Sequence, residues 1–97
     1  MQLDFTGRNF DVTPALKTFA EEKFQRLERR DNHITTIKVV FHVEHLSHVA
    51  EATLHLNGTE IHASAQDEDM YRATDALVEK LAGQITKHKE KLIDKHR

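Results

Sequence analysis

The sequence has no cysteine and no tryptophan, a single proline, three glycines and one tyrosine in 97 residues. The missing cysteine removes disulfides, zinc thiolates and thiol nucleophiles together. Gly7, Gly58 and Gly83 are too scattered to form a phosphate-cradling loop. No stretch approaches the apolar length of a membrane span, and MQLDFTGRNF lacks the basic run and apolar segment of a targeting signal. A cytoplasmic protein with no membrane partner is expected. Without a nucleophile motif, and with carboxylates such as Glu44 and Glu60 standing singly on strand faces, neither catalysis nor a small-molecule substrate or cofactor is expected.

What is present suits one soluble domain spanning residues 1–97, with 38% apolar and 31% charged residues. The formal net charge of −2 argues by itself against nucleic acid. Its distribution is uneven. Residues 1–71 hold 7 Lys/Arg against 12 Asp/Glu, whereas residues 72–97 hold 7 against 4. A basic element therefore ends an acidic body.

Leu3 and Phe5 alternate with polar residues and predict a short strand closed by Gly7. Thr13-Pro14 has the chemistry of an N-cap and first helical position, and Leu16, Ala20, Phe24 and Leu27 repeat at helical spacing up to about Arg30. From Ile34 to Glu44 the period changes to two, with Ile37, Val39, Phe41 and Val43 on one face. Leu46-Ser47-His48 is read as a turn into a strand carrying Ala50, Ala52, Leu54 and Leu56. Asn57-Gly58 is a strong type I′ hairpin signal, because both central residues need positive φ. A two-residue loop there pairs Leu54 with Ile61 inward and His55 with Glu60 outward, within a strand running from Thr59 to Gln66.

Asp67, Glu68 and Asp69 then favour a helix start, and Met70, Ala73, Leu77, Leu81 and Ile85 form its buried stripe, with Val78 at the edge and Leu92 beyond. The basic residues Lys87, Lys89, Lys91, Lys95 and Arg97 suit its negative end. The order β-α-β-β-β-α, with one apolar stripe per helix and one apolar sheet face, predicts an α+β fold in which both helices cover one face of a four-stranded sheet. The other face, with Thr6, Lys38, His42, Thr53, His55, His62 and Ser64, is left for water or a partner.

Lys23, Arg26 and Arg30 line one flank of the first helix, and Lys80, Gln84, Lys87 and Lys91 one flank of the second. Such rows can neutralise phosphates, although a charged helix flank is ordinarily a solvated one. Phe19 shares the flank of Lys23 and Arg26, and Tyr71, Val78 and Lys89 share the opposite flank of the second helix. Helices lying side by side in parallel would join these flanks, giving a groove lined by Lys23, Arg26, Arg30 and Lys89 with Lys80, Lys87 and Lys91 on the outer shoulder. The eight histidines show no spacing that assembles a metal site, since the hairpin register sets Glu60 beside His55 and Thr53 beside His62.

The run NGTEIHASAQDEDMYRATDALVEKLAGQITKHKEK, preceded by VEHLSHVAEATLHL and MQLDFTGRNFDVT, closely resembles the short bacterial ribosome hibernation promoting factors. These belong with the ribosome-associated inhibitor and sigma-factor modulation proteins. The resemblance covers essentially the whole chain. It implies a domain similar in layout to double-stranded-RNA-binding domains, monomeric off the ribosome, that binds the small ribosomal subunit and its RNA in the channel of messenger and transfer RNA. It also implies that translation stops without chemistry in stationary or stressed cells, and that inactive ribosome dimers form alongside a ribosome modulation factor. Carried over by position, the RNA-binding residues are Lys23, Arg26, Arg30, Lys80, Lys87, Lys89 and Lys91. Gly83 stands where close relatives tend to be basic, and Arg8 and Arg72 are candidates to compensate. The ending LIDKHR favours the dimer-promoting short form. From another class, the alternative is a protein-binding adaptor that uses the polar sheet face.

Overall fold

In this computed structural model the backbone is described for residues 1–95 and the side chains for residues 1–89. The elements are β1 (Gln2–Gly7), α1 (Pro14–Arg30), β2 (Ile34–Glu44), β3 (Ser47–Leu56), β4 (Thr59–Asp67) and α2 (Met70–Lys95). The sheet order is β1-β2-β3-β4, with β1 parallel to β2 and the remaining neighbours antiparallel. The expected α+β architecture is observed.

Local chemistry accounts for each boundary. Thr13 caps α1, its hydroxyl accepting from the Leu16 amide at 3.2 Å, and Pro14 stands where an amide would lack a partner. Asp69 does the same for α2, its carboxylate accepting from the Tyr71 amide and its carbonyl from the Ala73 amide, both at 3.0 Å. The Asn57-Gly58 loop has φ of 52° and 72° and sets Leu54 against Ile61 and His55 against Glu60, the register expected of a type I′ turn.

The core lies between the helices and one sheet face. Leu16, Ala20, Phe24 and Leu27 of α1 and Met70, Ala73, Leu77, Leu81 and Ile85 of α2 are all buried against Ile37, Val39, Phe41, Leu54 and Leu56. Four of the five phenylalanines meet here: Phe5 lies 6.0 Å from both Phe24 and Phe41, and Phe10 lies 6.3 Å from Phe41. Gly7 permits this closure, because a Cβ there would stand 1.8 Å from the Phe10 carbonyl oxygen.

Two expectations are corrected. The β2–β3 turn is His45-Leu46 rather than Leu46-Ser47-His48, since Glu44 pairs with Ser47 and His45 takes the positive φ of 56°. Val43 keeps its place in the alternation but is 43% exposed, because the hairpin tip extends beyond the helices that cover the inward face. Leu92 and Lys91 lie outside the described side chains.

Candidate nucleic-acid interface

The two helices run side by side in the same direction. Phe19 meets Tyr71, Lys23 pairs with Asp75 at 2.9 Å, and Lys89 donates to the carbonyl of Arg30, so successive turns of α1 match successive turns of α2. The flanks expected to join do join. The groove between them is lined by Lys23, Arg26, Arg72, Asp75 and Glu79; Arg30 and Lys89, also expected there, are not in its lining but meet each other, Lys89 donating to the Arg30 carbonyl.

The candidate cations fall into two groups. Lys23, Lys80 and Lys89 are anchored to the protein. Lys80 Nζ donates to the Ser64 carbonyl at 2.7 Å, and Gln84 Nε2 to the His62 carbonyl at 3.0 Å. Both acceptors lie on β4, which has a neighbour on one side only, so this flank of α2 occupies backbone positions where another strand would pair. Arg26, Arg30 and Lys87 form the second group: they are exposed and belong to no ion pair among the described residues. Arg26 lines the groove, whereas Lys87 stands beyond α2 on the opposite flank, beside Thr59, Gln84 and His88. Lys91 has no described side chain.

Lys89 also belongs to a junction that spacing did not reveal. Asp31 ends α1 and is buried, its amide bonding the Leu27 carbonyl while its carboxylate accepts from the amide and ring of His33, both at 2.9 Å. Burial raises the carboxyl's pKa. The two His33 hydrogen bonds and the charges of Lys89 and His33 outweigh it and hold the group below its ordinary value of 3.8. No sequence motif marks Asp31 as more than a helix stop.

The compensating cations divide. Arg72 joins Arg26 in the groove, but Arg8 turns to the opposite side of the sheet, where its Nη2 donates to His42 Nδ1 at 3.2 Å. Because guanidinium only donates, Nδ1 accepts, and Nε2 donates to Glu44 Oε1 at 3.0 Å. His42 is thereby buried to 4% exposure on the face expected to meet solvent, with Val49 beside it in the register at 2%. His42 holds the sheet face together and is no free contact for a partner. Elsewhere on that face the expected pairing of Thr53 with His62 appears as a hydrogen bond of 3.1 Å. Among the described residues no three His, Asp or Glu side chains are placed to hold a metal ion, and no helix is long and apolar enough to cross a membrane.

This arrangement of helices and sheet is shared by proteins of known structure. A ribosomal subunit interface protein from Coxiella burnetii superposes with a TM-score of 0.89 at 34% identity, covering 93% of this chain and 99% of the other. The N-terminal domain of Thermus thermophilus Protein Y gives 0.82 at 29% identity, covering 91% and 99%. The chain belongs to the family described as sigma 54 modulation protein / S30EA ribosomal protein, whose model matches residues 3–93. Within it, the ribosome hibernation promoting factor of Escherichia coli (strain K12) is 52% identical over 92 residues, covering 95% of this chain and 97% of the relative. That of Azotobacter vinelandii is 48% identical over 95 residues, covering 98% and 89%.

Proposed function

We propose that this protein is a hibernation factor, a translation inhibitor without catalytic chemistry that binds ribosomal RNA of the small subunit through its helix layer. The supporting observation is near full-length identity of about half to named hibernation promoting factors, on a fold whose two helices carry Arg26, Arg30, Arg72 and Lys87 at exposed positions. In this reading the site is the channel of messenger and transfer RNA. The protein acts in the cytoplasm of stationary or stressed cells, is a monomer off the ribosome, and promotes inactive ribosome dimers together with a ribosome modulation factor.

Arg26→Glu with Lys87→Glu tests the RNA contact, because neither side chain is engaged in an ion pair among the described residues. The double variant should bind small subunits more weakly in co-sedimentation, with a shallower dependence on salt, so the gap to wild type is widest at low salt and narrows as salt rises. Binding equal to wild type at every salt concentration would refute the helix layer as the RNA contact. Sucrose-gradient profiles of stationary-phase cells with and without the gene address the dimers, whose peak should vanish in its absence.

A further inference from the structure

Phe19 is the one phenylalanine outside the core cluster. Its ring meets Tyr71 edge to face at the seam of α1 and α2, with centroids 5.0 Å apart and planes at 74°. Lys23 Nζ stands 5.3 Å from the Phe19 centroid while pairing with Asp75. These contacts fix Phe19 as a backstop and leave Tyr71 39% exposed.

An exposed aromatic residue is ordinary by itself. The surroundings of Tyr71 are less so. Arg72 follows it directly with a side chain 76% exposed, and Arg26 lines the same groove from α1. Among the acids nearby, Asp75 is matched by Lys23 at 2.9 Å and Asp69 by Arg72 at 4.0 Å, while Glu79, which also lines the groove, is in no ion pair among the described residues. An exposed aromatic ring next to Arg72, with Arg26 two turns farther along α1 from Phe19 in the adjoining groove, offers a π surface for a base and cations for the backbone that carries it.

Building on the ribosomal-RNA reading above, we infer that Tyr71, backed by Phe19, is a stacking platform for one unpaired nucleobase, with Arg26 and Arg72 taking its flanking phosphates. Duplex RNA keeps its base faces stacked on one another, so only an unpaired nucleotide can present one. Stacking uses the π face common to all bases, and the platform therefore selects strandedness over sequence.

Tyr71 is the sole tyrosine in a chain without tryptophan, so the tyrosine emission of the whole protein reports on this ring. Titration with a short single-stranded RNA of mixed sequence should quench that emission, and a duplex of equal length should not. In small-subunit binding, Tyr71→Phe should stay within about twofold of wild type, while Tyr71→Leu and Tyr71→Ala weaken binding about tenfold. Leucine keeps bulk against Phe19, and the melting temperature of each variant separates misfolding from lost stacking.

Equal quenching by both RNAs, no quenching by the single strand, or wild-type affinity of the leucine and alanine variants would overturn the platform. So would a phenylalanine variant as weak as alanine, which would assign the effect to the hydroxyl. Failure of the wild-type protein itself to bind small subunits would instead sink the reading on which the platform rests.

Discussion

At Gly7 the chain passes so close to the Phe10 carbonyl that no methyl group fits, whereas at the far edge of the sheet the Ser64 and His62 carbonyls of β4 are reached by the long side chains of Lys80 and Gln84. The β1-α1-β2 half is closed by backbone and short polar contacts, Gly7 at one end and the buried Asp31 at the other. The β3-β4-α2 half is closed by flexible side chains that solvent can replace. Substitution at the closing contacts should therefore be costly in the first half and tolerated in the second, and a cation on α2 can serve the fold and a ligand together.

The sharpest way to break this contrast is Gly7→Ala, which forces either the strand or the Phe10 loop to move. It should cost about 3 kcal/mol, the upper end of overpacking effects, measured by chemical denaturation. Wild-type stability would show that the close approach is relaxed in solution.

Asp31→Asn should cost about 2 kcal/mol at neutral pH by weakening a buried, charge-assisted junction. Because the folded carboxyl titrates below its ordinary 3.8, its contribution is complete above that value and drains away as pH falls through the lower folded value. The gap between variant and wild type should accordingly close in acid. A gap independent of pH would assign the loss to packing.

Lys80→Ala with Gln84→Ala should cost only about 1 kcal/mol, since the uncovered carbonyls turn to water. A loss as large as that of Gly7→Ala would erase the distinction between the halves. The smallest effect belongs to Gly83→Ala. A Cβ there meets nothing within 4 Å, so thermal melts should show a gain of about 1 kcal/mol from helix propensity.

Much of the fold was legible in the residues because its signals are local. Asn57-Gly58 specified both the turn and the pairing of Leu54 with Ile61, and each helix announced its stripe and its cap. The β2–β3 turn was placed late because histidine at positive φ is not a turn signature, and nothing in LSH marks Leu46 as its second residue. Given helices side by side in parallel, the joining of their flanks was legible from Phe19 and Tyr71. The anchoring of Lys80 and Lys89 was not, because those contacts depend on how α2 lies against the β4 edge and the end of α1. His42 was assigned to an open face for a similar reason: alternation gives its side of the sheet, but only the path of Arg8 shows that it is covered.

Anchoring gives the lysines of the helix layer two characters. An ammonium has three donors, and Lys80, holding Ser64 with one, keeps two more and its whole charge. Its rotamer freedom, of order 2 kcal/mol for a fully immobilised lysine, is already reduced in the free protein and need not be lost again when a phosphate arrives. Lys87 can swing farther to find its target but must be ordered on contact. On the proposed RNA contact, the helix layer would combine cations arranged before the encounter with cations arranged by it.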